Sequence, residues 1–265
     1  MDRIGMTTVV FRMRFPQTRP ENYPAEGADL TLLEIPEYFA DRFGMHNVEL
    51  WNLHFESQSP GYLADLQKAL AKTHSTVINI QVDGPYNHAN PDDAVRTKGM
   101  DYIKEWLDTS STLQCSMRSN TGQGEYDVCL AAFRELTDYA EQKGVVLLIE
   151  NHGGISGDPA THVRLINAIN SPNLKTLPDF GNYAPEIRYE GLKTILPYAG
   201  LISAKTMNIN ADGVHTTFDF DHCMQLVVDS GYTGIYSAEY WDGSGKPVDY
   251  EWVADWMIEH IKPYC

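Results

Sequence analysis

The sequence predicts an α/β fold, a single (β/α)8 TIM barrel formed by residues 1–265. Its length of 265 residues is close to the roughly 250 that are typical of one such barrel. Short apolar runs alternate with longer amphipathic segments throughout, which is typical of βα units around a parallel sheet. Eight strand-helix pairs can be counted, and no linker or low-complexity run divides them. An open doubly wound sheet would alternate in the same way, but a count of eight favours a closed barrel.

The predicted strands are short and rich in apolar or β-branched residues. They span residues 5–12, 47–52, 76–82, 116–120, 145–150, 174–179, 201–207 and 235–239. The fifth is a nearly continuous apolar run, as expected of a strand that is covered on both faces. A long proline-containing loop, residues 15–29, follows the first strand.

The predicted helices are amphipathic, and several carry terminal signals. They span residues 32–43, 62–73, 91–112, 127–143, 158–169, 190–196, 219–230 and 248–262. Asn90 is the expected N-cap of the third helix, with Pro91 behind it. Gly144 is placed to end the fourth helix, and Asp158-Pro159 to begin the fifth.

Composition excludes several classes of function. The 36 Asp and Glu against 20 Lys and Arg give a formal charge of -16, so the average field repels nucleic acid. No apolar run approaches the roughly 20 residues that span a bilayer, so we expect no membrane partner. The N-terminus lacks the pattern of a signal peptide, and we therefore expect a cytoplasmic protein.

Three acidic residues each end a predicted strand: Glu150 on the fifth, Asp179 on the sixth and Glu239 on the eighth. The C-terminal ends of barrel strands build the active site in this fold. His152 follows Glu150 at a spacing that puts both side chains on one side of an extended chain. Buried carboxylates need a compensating charge, which a hard cation such as Mn²⁺ or Mg²⁺ provides. Taken singly, each acid could instead be a helix cap or an ion-pair partner.

Five motifs in this order resemble the sugar phosphate isomerase/epimerase family of xylose isomerase-like barrels. They are VELWNLHF (48–55), IENHGG (149–154), PDFGN (178–182), SAKT (203–206) and SAEY (237–240). In that family, a Glu, an Asp, a His and a second Glu at the ends of strands five to eight hold a divalent metal. The resemblance therefore implies Glu150, Asp179 and Glu239 as metal ligands, and it also implies a homodimer.

The chain departs from the family at Ser203, where the metal-binding histidine is expected. Relatives often have His-x-Lys-Asp there. Serine is a poor substitute for imidazole, so several outcomes stay open at this stage. The metal could be weakly held, could take a water, or could recruit His152. It could also be absent, with Lys205 neutralising the acids.

The resemblance implies an isomerase or epimerase that removes a proton next to a carbonyl of a sugar or keto-sugar. Glu150 and Glu239 are the predicted acid and base, and Lys205 and His152 are the groups that would stabilise an oxyanion without a metal. Elimination begins with the same step, so a lyase acting on a 3-keto-glycoside is an alternative.

Polar and aromatic residues near other strand ends are candidates for binding substrate: His54, Asp83, Arg118, Asn120, Asn182 and Trp241. For His54 and Trp241, packing against neighbouring side chains is an equally good interpretation. Two further functions are weighed against the sugar enzyme. Apurinic-site endonucleases share the fold, but they need more histidines at strand ends and a less acidic chain. A non-catalytic sugar-binding barrel would explain Ser203.

Overall fold

The strands of the structure pair in parallel with their neighbours along the chain, except that β6 and β7 are joined only by isolated bridges. The structure is a computed structural model that describes residues 2–23, 27–241 and 248–265. Its eight strands are Ile4–Thr7 (β1), Asn47–Trp51 (β2), Thr76–Gln81 (β3), Ser116–Ser119 (β4), Leu147–Glu150 (β5), Leu174–Leu177 (β6), Ile202–Thr206 (β7) and Tyr236–Tyr240 (β8). β1 pairs with both β2 and β8, which curls the sheet into a barrel. The predicted (β/α)8 architecture is confirmed.

In the described ranges, eight α-helices lie between the strands and after the last one. They are Ile35–Phe43 (α1), Pro60–Thr73 (α2), Asp93–Leu113 (α3), Tyr126–Lys143 (α4), Pro159–Ile169 (α5), Arg188–Ile195 (α6), Phe220–Asp229 (α7) and Tyr250–Ile261 (α8). Gly144 ends α4 in the left-handed conformation, and Asp158 caps α5, as predicted. The predicted cap of α3 is wrong, because Asp92 and not Asn90 accepts the free backbone N–H groups.

The first predicted strand is too long. β1 ends at Thr7, and residues Thr8–Arg14 form a 3-10 helix whose first turn is capped by the Thr7 hydroxyl. Val9, Val10 and Phe11 are all buried in that helix. A short run of buried apolar residues has no visible period, so the sequence pattern alone does not separate it from a strand.

The junction between β6 and β7 differs from the other seven. β6 ends at Leu177, and Pro178 follows without an N–H group to continue a ladder. Two isolated parallel bridges, Thr176 with Ala199 and Asp179 with Ser203, close the barrel there. Asp179 is thereby fixed beside β7, although the sixth strand is shorter than predicted.

Side chains alternate between the interior of the barrel and the layer under the helices. Ile149, Ala204 and Ala238 belong to the large apolar core beneath the helices. Leu148, Leu177 and Leu201 form a separate apolar cluster. Because the side-chain period of a strand is two, Leu148 and Glu150 share the interior face. None of the helices in the described ranges has the length and hydropathy that crossing a membrane requires.

Candidate active site

Glu150, Asp179 and Glu239 come together at the C-terminal end of the barrel. One carboxylate oxygen from each lies within 4.8 Å of the others. Glu150 and Asp179 are fully buried, and Glu239 is 5% exposed. Residues distant in sequence thus form one buried acidic cluster, because neighbouring parallel strands end at the same edge.

Backbone and amide groups hold Asp179 in a defined orientation. The side chain of Asn151 accepts from the Asp179 N–H at 2.7 Å and donates to the Asp179 carbonyl at 3.0 Å. Asp179 Oδ1 accepts from the N–H groups of Gly181 and Asn182 at 2.8 and 3.0 Å. With Oδ1 satisfied in this way, Oδ2 faces the interior of the site.

Two residues of β7, Ser203 and Lys205, bridge Asp179 and Glu239. The Ser203 hydroxyl lies 3.0 Å from Asp179 Oδ2 and 3.1 Å from Glu239 Oε2. The Lys205 ammonium lies 3.0 Å from Glu239 Oε1 and 3.4 Å from Asp179 Oδ2. Where the resemblance leads us to expect a histidine, a hydroxyl and an ammonium group therefore connect the two carboxylates.

Arg118 of β4 likewise contacts two carboxylates, those of Asp83 and Glu150. Its Nη1 donates to Asp83 Oδ1 at 2.6 Å, and its Nε lies 3.0 Å from Glu150 Oε2. The indole N–H of Trp51 donates to the second Asp83 oxygen at 2.8 Å. Asp83 is thus held in place from both sides.

Asn182 joins the two halves of the cluster. It donates to Glu150 Oε1 at 3.0 Å and accepts from Lys205 Nζ at 3.2 Å. Gln81, at the last position of β3, donates to Glu239 at 2.9 Å and accepts from the Thr7 hydroxyl at 2.7 Å. Every carboxylate of the cluster consequently has a fixed donor or cation beside it.

His152 stands at the edge of the site, where the chain turns through two glycines. Gly153 and Gly154 both have positive φ, and a Cβ on Gly154 would lie 2.0 Å from the Gly122 carbonyl oxygen. Only glycine fits that close approach. His152 Nδ1 is 3.5 Å from the side-chain amide of Asn120, a distance too long for a strong hydrogen bond.

A cavity of about 350 Å³ opens above the acids. Its lining consists of Val9, Trp51, Gln81, Asp83, Arg118, Glu150, His152, Asn182, Lys205, Met207, Glu239 and Trp241. The lining combines apolar side chains with charged and amide side chains. This volume is at the small end of the range for ligand sites.

Burial and charge shift the pKa values of the three acids in different directions. Burial raises the pKa of Glu150 above its usual value, and it raises that of Asp179 to about 7. Burial acts the same way on Glu239, but Lys205, Arg118 and Gln81 together hold the pKa of that carboxyl below its usual value. Of the two glutamates, Glu239 is therefore the more readily ionised.

The pKa values of the two basic side chains also diverge. Desolvation opposes the charge of Lys205, yet the surrounding carboxylates raise its pKa above the usual value. Burial lowers the pKa of His152, and Arg118 and Lys205 lower it further. Lys205 is thus a fixed cation, whereas His152 is a neutral imidazole at neutral pH.

The predicted substrate-binding residues do not all reach this cavity. Asp83, Arg118, Asn182 and Trp241 line it, whereas Asn120 does not and lies with its side-chain amide 3.5 Å from both Asp83 Oδ1 and His152 Nδ1. His54 is fully buried, is stacked on Phe15 with ring centroids 3.7 Å apart, and hydrogen-bonds the hydroxyls of Thr8 and Thr18. These contacts favour packing over substrate binding for His54.

Four cavity residues were not among the predicted site residues: Val9, Trp51, Gln81 and Met207. Gln81 is the one with a recognisable signal, because it is a polar residue at the end of an apolar strand. Val9 belongs to the 3-10 helix that was predicted as strand, which explains why its position was missed.

The family model described as xylose isomerase-like TIM barrel matches residues 38–260. No curated protein sequence matches the chain. Solved structures of similar fold include an L-ribulose 3-epimerase, with 16% identity and a TM-score of 0.75, for which 100% of this chain and 96% of the other align.

Two further structures share the fold. The 3-keto-D-glucoside 4-epimerase of E. coli, in its apo form, has 14% identity and a TM-score of 0.71, covering 98% of this chain and 100% of the other. A xylose isomerase-like TIM barrel protein from Mycobacterium smegmatis, in complex with magnesium, has 15% identity and a TM-score of 0.67, covering 99% and 97%. Identities this low establish the fold alone.

Proposed function

The chain belongs to the xylose isomerase-like TIM barrel family, and from that premise we propose that it is an isomerase or epimerase of a sugar or keto-sugar. The reaction begins with removal of a proton from the carbon next to a carbonyl. The observation that carries the proposal is the convergence of three buried carboxylates from β5, β6 and β8 beneath a ligand-sized cavity. Two of them, Glu150 and Glu239, serve as the acid and base.

The donor set fits a hard divalent cation. Three carboxylates and the Ser203 hydroxyl offer only oxygen atoms, which suits Mg²⁺ or Mn²⁺. Within the described residues, four carboxyl groups (Asp83, Glu150, Asp179, Glu239) share two cationic partners, Arg118 and Lys205. Glu150, Asp179 and Glu239 would hold the ion. When bound, it would stabilise negative charge on the carbonyl oxygen of the substrate.

The pKa directions assign roles to the two glutamates. Glu239 is held ionised by Lys205, Arg118 and Gln81, so it is suited to accept the proton. Burial raises the pKa of Glu150, which makes that carboxyl the better proton donor on the other side of the site. A pair of carboxyl groups with pKa values shifted in opposite directions is the usual basis for dividing acid and base roles.

Lys205 and His152 complete the proposed chemistry. Lys205 holds Glu239 and Asp179 in position, and its ammonium supplies fixed positive charge beside the reacting atoms. His152, neutral and at the cavity wall, exchanges protons with a substrate hydroxyl. Asp83, Arg118, Asn120 and Asn182 orient the remaining hydroxyl groups, directly or through their contacts with one another.

Chiral product analysis on a panel of ketoses and keto-sugars tests this function. The purified protein with Mg²⁺ or Mn²⁺ should convert at least one of them into an epimer or an aldose-ketose isomer. Glu150→Gln and Glu239→Gln should each lower turnover by about 10²- to 10⁴-fold, the usual contribution of general acid-base catalysis. Glu141→Gln, a change of the same chemistry on the exposed side of α4, is the matched control. Full turnover in both site variants would refute the assigned mechanism.

His152 favours one alternative, a lyase. Elimination from a 3-keto-glycoside starts with the same proton removal and then needs a further group to protonate the departing oxygen. In that reaction the imidazole of His152 would accept the proton removed from carbon and then, as imidazolium, donate it to the departing oxygen. Mass analysis separates the two reactions, because isomerisation conserves substrate mass whereas elimination releases water or an aglycone. A ligand that binds but returns unchanged would instead indicate a non-catalytic sugar-binding barrel.

A further inference from the structure

Two asparagines hold two aspartates of the site through the same pair of hydrogen bonds. Asn151 accepts from the Asp179 N–H at 2.7 Å and donates to the Asp179 carbonyl at 3.0 Å. Asn52 accepts from the Asp83 N–H at 2.9 Å and donates to the Asp83 carbonyl at 2.9 Å. Both asparagines are buried. Because a backbone N–H only donates and a carbonyl only accepts, these partners also fix the orientation of each amide.

The two pairs occupy equivalent places in the barrel. Asn52 is the first residue after β2, and Asn151 is the first residue after β5. Asp83 lies two residues beyond the end of β3, and Asp179 lies two residues beyond the end of β6. Each pair therefore connects two adjacent parallel strands at their C-terminal ends, where the site lies.

A cation completes the arrangement in both places. Arg118, on β4, lies 2.6 Å from Asp83 Oδ1, and Lys205, on β7, lies 3.4 Å from Asp179 Oδ2. Strands β2 to β4 and strands β5 to β7 thus present the same order of side chains: an asparagine, an aspartate and a cation. The repetition indicates that the two aspartates are held for a comparable purpose.

The backbone explains why a side-chain amide is needed. β2 and β5 end at the residue before each asparagine: Asn52–His54 form a 3-10 helix, and Gly153 and Gly154 turn the chain with positive φ. Buried backbone N–H and C=O groups need partners. A side-chain amide offers the same donor and acceptor as a peptide group. Each asparagine therefore satisfies the backbone of its aspartate and leaves the carboxylate directed by other contacts.

The two carboxylates face different surroundings. Asp83 lines the cavity, and 34% of its side chain is exposed. Asp179 is fully buried and belongs to the acidic cluster with Glu150 and Glu239. A substrate in the cavity can therefore reach Asp83, whereas Asp179 is placed to bind an ion.

We propose that Asn52 and Asn151 are positioning residues of the site. Asn151 fixes Asp179 for the divalent cation, and Asn52 fixes Asp83 for a hydroxyl group of the substrate. This inference rests on the proposed isomerase or epimerase function and adds two residues that act through the aspartates.

Mn²⁺ affinity tests the role of Asn151, and it needs no turnover. Asn151→Ala should raise the Kd for Mn²⁺, measured by calorimetry on the folded protein, by at least about tenfold, the usual effect of removing a residue that orients a metal ligand. Any loss of turnover in this variant should be recovered in part at saturating Mn²⁺. Asn52→Ala should leave the Kd for Mn²⁺ unchanged.

Steady-state kinetics test the role of Asn52. The substrate is D-fructose, D-ribulose or 3-keto-D-glucose, whichever the wild type converts. Asn52→Ala should raise KM or lower kcat so that kcat/KM falls at least about tenfold, because Asp83 is no longer held in place. Saturating Mn²⁺ should not restore this loss.

Asn173→Ala is the matched control. Asn173 donates to the Val145 carbonyl at 2.9 Å, so it connects the chain before β6 to the chain before β5 at the N-terminal end of the barrel. Its replacement should leave the Kd for Mn²⁺ and kcat/KM unchanged. Asn52→Asp and Asn151→Asp keep the size of the side chain and the acceptor, so they are the variants to use where an alanine variant does not fold. Each should impair the same parameter as its alanine counterpart, by a smaller factor.

The outcomes separate this inference from the function on which it depends. Wild-type Mn²⁺ affinity in Asn151→Ala with wild-type kcat/KM in Asn52→Ala overturns the positioning roles and leaves the proposed function intact. Equal losses of Mn²⁺ affinity in both variants also overturn the separate roles. A wild-type protein that converts no sugar overturns the proposed function and the role of Asn52 with it, while Mn²⁺ affinity still decides the role of Asn151.

Discussion

The two ends of the barrel interior are formed by the same strands, but the side chains at the N-terminal end are mainly apolar and those at the C-terminal end are mainly charged. Along β5 the inward positions run Val146, Leu148, Glu150; along β7 they run Leu201, Ser203, Lys205. At the N-terminal end these side chains contribute to the small apolar cluster, and at the C-terminal end they form the charged site. Within a few residues on the inward face, each strand therefore passes from the apolar cluster to the charged site. We call the apolar end the floor of the barrel and the charged end its mouth.

This difference indicates that the N-terminal end stabilises the fold and that the proposed reaction takes place at the C-terminal end. The floor, formed by Leu148, Leu177 and Leu201, derives its stabilisation from burial of apolar surface. The mouth buries three acids (Glu150, Asp179 and Glu239) and two cations (Arg118 and Lys205), an arrangement that costs desolvation energy and that the proposed chemistry requires. Substitutions in the two regions should therefore have different effects on stability and on ligand binding.

The largest effect on stability is expected from Lys205→Met at the mouth. It leaves Asp179 and Glu239 without their bridging cation, and removal of one partner of a buried ion pair costs about 3–5 kcal/mol. Chemical denaturation without metal measures this loss, and added Mn²⁺ should restore part of it. Lys193→Met removes an exposed pair with Glu190 and should change the free energy of unfolding by no more than about 1 kcal/mol.

At the floor, Leu177→Ala should lower the free energy of unfolding by about 2–5 kcal/mol, because truncation of this fully buried side chain leaves a cavity in the apolar cluster. The kcat/KM of the folded enzyme should stay within about twofold of the wild type at low temperature, because the change removes an apolar contact and none of the hydrogen bonds or ion pairs of the site. Leu53→Ala, at a side chain that is 41% exposed, should change stability by no more than about 0.5 kcal/mol. A floor variant that loses turnover while remaining folded would contradict the division of roles.

Ser203→His at the mouth should strengthen metal binding. An imidazole in that position adds a nitrogen ligand beside Asp179 and Glu239, which the hydroxyl now contacts. We expect the Kd for Mn²⁺ to fall at least about tenfold, or 1.4 kcal/mol, by calorimetry. The isosteric Ser203→Ala should bind Mn²⁺ no more tightly than the wild type. Equal affinity of the histidine variant and the wild type would show that the ion does not lie next to β7.

Glu49, between the mouth and the floor, should make stability depend on pH. It is buried, accepts from Asn79 at 2.6 Å and from Ser237, and burial raises its pKa from 4.5 to about 8. A carboxyl whose pKa is raised on folding stabilises the fold below 4.5, and that contribution is lost as the pH rises through about 8.

Glu49→Gln preserves the shape and the contacts of the neutral acid, so its free energy of unfolding should fall less between about pH 5 and about pH 9 than that of the wild type. Denaturant unfolding at the two pH values measures the difference. Glu56→Gln, on an exposed residue after β2, is the control. Parallel pH profiles for the wild type and Glu49→Gln would contradict the buried neutral acid.

Much of this contrast was predictable from the sequence. Period-two alternation and eight repeats predicted the barrel, and the rule that sites lie at strand ends brought Glu150, Asp179 and Glu239 together. The 3-10 helix after Thr7 was not predictable, because a buried apolar helix of one or two turns has the composition of a strand. The position of His54 was also not predictable, since it depends on a stacking contact with Phe15 across a long loop.

The contacts that Lys205 makes with the acidic cluster could not be predicted from the sequence. Its spacing from Ser203 put it on the inward face of β7, so a neutralising ammonium was one of several open outcomes. Only distances show that it contacts Glu239 and Asp179 together. A second cation at Arg118 binds Glu150 in the same way, and no pattern within β4 alone indicates that pairing.

A crystal structure of the protein soaked with Mn²⁺, with anomalous data collected at the manganese edge, tests the central claim most directly. We predict one peak at about 2.0–2.3 Å from carboxylate oxygens of Glu150, Asp179 and Glu239, with the Lys205 ammonium displaced toward Asn182. Saturating Mn²⁺ that leaves no peak at these carboxylates, with Lys205 still bridging Asp179 and Glu239, would contradict it.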